Sequence, residues 1–241
     1  GSSQVDYKLN LPEQPTPIDV YFLLDTSGST DPYIKGLQEG LGEIATTLDK
    51  NDIAAGYGLG EYQDTVGMRY RRRVNIGPTD ALKRSLTAIR TAGGEEPGYT
   101  ALHQAATGTG IPTVKTGRPV EKDQAPTWRQ GTVRVVVQVA DEPYAEDTSG
   151  PTRSEAIAAL KNERMQVIGV QVTDNPPGPG ATASCPVILQ TRDTPNALTL
   201  SNPSDNPVRA LRLRCQMEDV ARETGALAPE GGVDCNSDGQ V

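Results

Sequence analysis

The sequence is poor in the residues from which many active sites are built. It holds one histidine, one tryptophan, one phenylalanine and three methionines in 241 residues. A lone imidazole, His103, excludes histidine-rich metal centres and leaves a histidine-based triad one candidate base. In the helix where it is expected, packing or surface placement accounts for it better. Positive charge is also short, 23 basic against 31 acidic side chains and a formal charge of −8. That balance argues against a nucleic-acid footprint and suits divalent cations or basic partners. No apolar run approaches the ~20 residues that span a bilayer, so no membrane insertion is expected of this segment. Cysteine is scarce as well. Cys185, Cys215 and Cys235 all fall in the last quarter, any two could pair, and the setting they favour is oxidising and extracytoplasmic.

What is present is a run of buried-strand character, Ile18-Asp19-Val20-Tyr21-Phe22-Leu23-Leu24, closed by Asp25-Thr26-Ser27-Gly28-Ser29. In an open α/β sheet, ligands sit at the carboxyl ends of the strands. Asp25, Ser27 and Ser29 therefore offer one carboxylate and two hydroxyls at such an edge, hard oxygen ligands suited to magnesium, calcium or manganese. Alone the triplet is a weak signal, because Asp and Ser also favour turns and caps.

The rest of the chain supplies the context. Pro12, Pro15 and Pro17 suit an extended lead-in over residues 1–16. Beyond Pro32, Ile34, Leu37, Leu41, Ile44 and Leu48 form one helical stripe. Asp52 to Tyr62 and Met68 to Ile76 read as strands of a hairpin. The basic run Arg69-Tyr70-Arg71-Arg72-Arg73 fits a solvated edge strand protected by charge. A short helix after Pro78 would be capped by Thr79 or Asp80, and another is expected over Tyr99 to Ala106. Residues 107–130 form a long polar excursion of the kind that is functional or mobile in compact domains. Thr132 to Ala140, the most β-branched run, delivers Asp141 at its end. A helix over 152–163, a strand from Gln166 to Val172, short strands at 187–189 and 197–200, and a helix from Val208 to Glu223 stopped by Gly225 complete the pattern. This order predicts an α/β fold: a doubly wound, mainly parallel sheet with one antiparallel edge strand, flanked by helices.

Three distant pieces then meet at one edge: Asp25, Ser27 and Ser29; the acidic loop Glu95-Glu96; and Asp141. Together they approach the about six oxygens a hard cation takes. With these residues in place, the sequence resembles the metal-ion-dependent adhesion site of von Willebrand factor type A domains. The resemblance covers roughly residues 17–173 and, more loosely, Cys215 through Gly225. It is most similar to the inserted domain of integrin β subunits and their bacterial relatives. Gly93-Gly94-Glu95-Glu96-Pro97-Gly98-Tyr99-Thr100-Ala101-Leu102-His103-Gln104-Ala105-Ala106 is similar to the integrin β loop in which glutamate stands where most type A domains have threonine. Ala55-Gly56-Tyr57-Gly58 is similar to the family's second strand, and Ala140-Asp141 to the end of its fourth.

The resemblance implies a type A domain over residues 17–225, with insertions at 107–130 and 174–207 and a tail or following segment at 226–241. It implies Asp25, Ser27, Ser29, Glu96 and Asp141 around Mg2+ or Ca2+, with Mn2+ substituting. Asp31, and Glu95, are the candidates for a further ion. The family pattern has two adjacent aspartates after the last serine, whereas Thr30-Asp31-Pro32-Tyr33 offers one. The implied function is binding: an ion one ligand short, completed by a carboxylate on a protein ligand, outside the cell or on its surface, with no nucleic acid involved. A metal-dependent hydrolase and a cytoplasmic type A partner of a motor ATPase are the alternatives. An aspartyl-phosphate site would want a carboxylate where Ser27 stands, and a serine elbow needs glycine two residues before its nucleophile. At the end, Asp234-Cys235-Asn236-Ser237-Asp238-Gly239 matches the start of a calcium loop and also a plain Asn/Asp/Gly turn.

Overall fold

The computed structural model describes residues 16–50, 53–63, 69–94, 96–111, 119–145, 150–172 and 207–226. Glu95, Cys185, Cys235, the expected strands at 187–189 and 197–200, and the calcium-loop motif at 234–239 lie outside these residues.

A five-stranded sheet in the order β3-β2-β1-β4-β5 organises the chain. Its strands are β1 (Ile18–Asp25), β2 (Ala55–Tyr62), β3 (Arg71–Gly77), β4 (Val133–Ala140) and β5 (Met165–Gln171). β1 pairs in parallel with β2 and β4, β4 pairs in parallel with β5, and β3 is antiparallel to β2. This is the predicted sheet, including the hairpin at its edge. β1 reads as a continuous apolar run from Val20 to Leu24 because it is central and covered on both faces. Val20, Phe22 and Leu24 pack against α1 (Ile34–Lys50) and α2 (Thr79–Leu86). Tyr21 and Leu23 face α3 (Gly98–Thr107), α4 (Arg153–Asn162) and α5 (Pro207–Thr224). β2 accommodates Tyr21 by having no side chain at Gly60, where a Cβ would lie 2.3 Å from the Tyr21 hydroxyl.

Local details depart from the sequence expectation where packing overrides pattern. In α1 the buried positions are Leu41 and Ala45, while Ile44 is 47% exposed. Pro32 lies in a 3-10 turn, Gly28–Tyr33, that precedes α1. Neither Thr79 nor Asp80 caps α2. Pro78 is its N-cap, and the Thr79 hydroxyl donates to Asp49 instead. α4 carries a complete capping box between Thr152 and Glu155, and α5 ends at Gly225 with φ +78°.

The arginines of β3 are the larger departure. Arg71 and Arg73 converge on Glu61 of β2, which is 1% exposed, and the Arg73–Glu61 contact is 2.8 Å. They are counter-ions of a buried carboxylate as well as edge protection. The 119–130 stretch adds to that protection. Gln124 accepts from the Arg72 backbone and Asn75 from the Thr127 backbone, while Trp128 packs edge-on to Tyr21 at 6.2 Å. An antiparallel bridge, Ile111 to Val120, closes that excursion's base.

Candidate functional site

The topology brings Asp25 and Asp141 side by side. β1 and β4 are neighbours, Leu24 is in register with Val139, and each strand releases its aspartate at the same edge. The loop after β1 is then tied down from three directions. The Ser27 N–H donates to Asp25 Oδ1 at 2.8 Å, and the Thr30 hydroxyl to the Ser27 carbonyl at 2.7 Å. Thr26 N–H bonds the carbonyl of Tyr62 at the end of β2, at 3.0 Å. The loop before α3 joins it through Ala92 N–H to Thr26 O (2.9 Å) and Gly28 N–H to Gly93 O (3.2 Å). Glu96 is fixed by its own carbonyl, which accepts from Gly98 (2.7 Å) and from Ala145 beyond β4 (2.8 Å).

The side chains form a small ring. Ser27 and Ser29 hydroxyls are 3.0 Å apart. The Ser27 hydroxyl also steadies the Asp25 carboxylate, and Ser29 and Asp25 both lie against Asp141. These last approaches are too loose to satisfy Asp141: both its carboxylate oxygens, and Asp25 Oδ2, are buried without a hydrogen-bond partner. Glu96 and Glu142 act on the ring through charge. Asp25, Glu96, Asp141 and Glu142 are each at most 3% exposed. Burial raises all four pKa values, and repulsion from neighbouring carboxylates adds to it at Asp25, Glu96 and Glu142. Glu96 is pushed up to about 10 and Glu142 to about 6. Asp25 goes well above the usual carboxylate range through burial and then the charge of Asp141, and Asp141 is raised by burial. Buried like charges without partners are costly unless protonated or matched by a cation.

Among the described residues, no three His, Cys, Asp or Glu side chains stand close enough to hold an ion as a group. The ring offers two carboxylates and two hydroxyls instead. That donor set, with its orphaned oxygens, fits a hard divalent cation that keeps part of its water. Of the predicted site residues, Asp25, Ser27, Ser29 and Asp141 are brought into this ring, and Glu96 is placed beside it. Asp31 is not: it is exposed and accepts from the Thr91 hydroxyl at 2.7 Å. His103 is half-buried on α3, its Nδ1 3.3 Å from Gln104 and 3.4 Å from Thr107, and burial lowers its pKa.

Sequence reasoning missed the floor and the counter-charge. Tyr144 donates to Gln138 at 2.7 Å, Gln138 reaches Tyr62 at 3.4 Å, and Tyr99 packs edge-on to Tyr144 at 5.0 Å. Glu142 pairs with Arg209 of α5 at 2.6 Å. The adjacency of Glu142 to Asp141 was a visible signal; nothing in the sequence linked it to Arg209. Gly98 is required by this floor, since a Cβ there would lie 2.3 Å from the Tyr144 ring. Gly98→Ala is expected to cost about 1–3 kcal/mol by overpacking, measured by urea denaturation. A stability within about 0.5 kcal/mol of wild type, the scale of a neutral surface change, would refute that packing account.

No family model matches the sequence, and neither does any curated protein. Solved structures do. Proximal thread matrix protein 1 from the mussel byssus superposes with a TM-score of 0.50 at 14% identity, over 67% of this chain and 39% of that one. The chain thus spans about two-fifths of that neighbour. An aerotolerance-related membrane protein from Bacteroides fragilis, carrying multiple mutations to serine, gives a TM-score of 0.50 at 13% identity, over 86% of this chain and 88% of that one. At such identities the likeness shows the fold alone, and that fold is von Willebrand factor type A-like.

Proposed function

We propose that this chain is a protein-interaction module that binds its partner through a divalent cation held at the β1–β4 edge. The observation that carries the reading is the set of buried, unpartnered oxygens on Asp25 and Asp141 beside the two serine hydroxyls. Asp25, Ser27, Ser29 and Asp141 would hold Mg2+ or Ca2+, with Mn2+ as a substitute, and Glu96 would tune it from beside the ring. Bound there, the cation supplies a Lewis-acidic position for a carboxylate of the protein ligand. Four protein oxygens leave room for it, because such cations take about six. Ser27, Ser29 and the backbone bonds around Thr26 and Gly28 orient the carboxylates. The Tyr62–Gln138–Tyr144 floor keeps water from beneath them.

An extracellular or surface setting suits this reading. Cys215, buried in α5, is disulfide-bonded, and disulfides persist in oxidising compartments. One structural neighbour is a byssal thread matrix protein and the other a membrane protein. Among the described residues no helix is long and apolar enough to cross a membrane. A hydrolytic role with His103 as base is disfavoured because its imidazole is engaged on α3 by Gln104 and Thr107.

Calorimetric titration of magnesium, calcium and manganese into chelator-stripped protein tests the reading, followed by titration of acetate as a minimal carboxylate. Saturable ion binding is expected, with acetate binding only to the ion-loaded protein. Absence of heat with all three ions would overturn it.

A further inference from the structure

The carboxylate cluster contains one residue pairing that the binding reading does not use: Glu142 with Arg209. The Glu142 side chain is 4% exposed and that of Arg209 26%, with Nη2 2.6 Å from Oε2. Arg209 comes from the first turn of α5, 67 positions away in sequence. A cation there is opposed by the positive end of the helix dipole, and that turn holds no acidic residue. Local helix energetics therefore do not explain it. Nor does hydrogen bonding alone, for Arg209 Nε is buried without an acceptor. α5 has other anchors: Leu213, Met217 and Val220 in the core, and the Arg153–Asp219 pair.

Glu142 follows Asp141 directly and lies near enough to act on Asp25 and Glu96 through its charge. Without Arg209 it would be a further anionic oxygen donor next to the ring. We propose that Arg209 is a positioning residue that holds Glu142 out of the ion's coordination sphere, keeping the site short of carboxylates and its open position free. The proposal rests on the divalent-cation reading above. It also sets selectivity. Added carboxylates favour calcium, which takes six to eight oxygens in flexible geometry, over magnesium, which keeps its waters.

Arg209→Met keeps most of the apolar stem and removes the charge. Calorimetry on the intact chain should show calcium binding about tenfold tighter and magnesium changed about threefold or less, following the dependence of calcium affinity on ligand charge. Glu142→Gln should leave the calcium-to-magnesium ratio of wild type. The double variant should return to that ratio as well, because the Arg209 effect needs the Glu142 carboxylate. A ratio in Arg209→Met within about twofold of wild type, or a shift that survives in the double variant, would overturn the proposal. If Arg209→Met does not fold, Arg209→Lys is read in its place, since lysine keeps the charge but loses the rigid fork. A smaller shift toward calcium then supports the proposal, and an unchanged ratio overturns it. Wild type that binds neither ion would sink the parent reading instead.

Discussion

Asp25→Asn is expected to raise the melting temperature of the chelated protein at pH 8 and to abolish its response to magnesium and calcium. Both effects follow from one carboxylate. Asp25 is 1% exposed, its Oδ2 has no partner, and Asp141 lies against it. Replacing it by a neutral amide removes a buried carboxyl that at pH 8 must either carry charge beside Asp141 or take up a proton. The amide keeps the Oδ1 acceptor that Ser27 N–H uses at 2.8 Å, so the turn survives. The gain without ion should be about 1–2 kcal/mol, the scale for an imperfectly matched buried polar group. The loss with ion is larger. An ion at 100 times its Kd stabilises by about 2.7 kcal/mol, which for a chain of this size is roughly 5–11 °C at about 2–4 °C per kcal/mol. Differential scanning fluorimetry with and without chelator reads both. An equal ion-induced shift in wild type and variant would remove Asp25 from any ion site.

The combination of a less stable chelated wild type and a more stable variant distinguishes a site from a structural carboxylate. Asp19 provides the contrast. It is fully buried at the opposite end of β1, yet Arg129 Nε lies 2.6 Å from one oxygen, and the Arg129 backbone and the Thr132 hydroxyl bond the other at 2.7 and 3.1 Å. Such a carboxylate is fully partnered, and breaking its pair should cost about 3–5 kcal/mol. Two aspartates of one strand thus predict opposite responses.

That contrast also shows what was legible in the sequence. The sheet was, because central strands announce themselves by apolar runs and helices by their period. The positions of Asp25 and Asp141 were too, because a strand's carboxyl end locates its next residue without detailed packing. Side-chain pairing was not. The basic run reads as solvated charge, and nothing in its pattern points to Glu61, the buried carboxylate of β2 that Arg71 and Arg73 pair with. Arg209 carried no motif, since its partner is distant in sequence and its helix position runs against the dipole. Asp31 read as a possible ligand by proximity in sequence, but the 3-10 turn at Gly28–Tyr33 carries it outward to Thr91. Ala45 replaces Ile44 in the core for the same kind of reason: a stripe gives the face of a helix but not its rotation against a twisted sheet.

The second large effect is a pH dependence whose sign reverses the usual one. Carboxyls of the unfolded chain titrate near ~4, whereas in the folded chain Glu142 is raised to about 6 and Glu96 to about 10, and Asp25 and Asp141 are raised as well. Between the unfolded and folded values the folded state binds more protons, so its stability falls as pH rises. Among the described residues, two groups run the other way. Glu155, lowered by its bonds to Thr152, contributes fully above its unfolded value and matters only at more acid pH. His103, lowered by burial, adds stability as pH rises toward its ordinary value near 6.5, and His103→Gln removes that contribution. In chelator, the melting temperature should therefore decline from pH 5 to pH 8. Each tenfold difference in proton affinity is worth about 1.4 kcal/mol, so titration of a single group is visible. An ion replaces those protons, because it binds the ionised carboxylates and releases what they held. The ion-induced shift should then be small at pH 5 and grow to pH 8. A chelated protein that gains stability over this range, with His103 replaced, would mean the carboxylates are not held protonated. An ion-induced shift independent of pH would place the ion elsewhere than among Asp25, Asp141 and their buried neighbours.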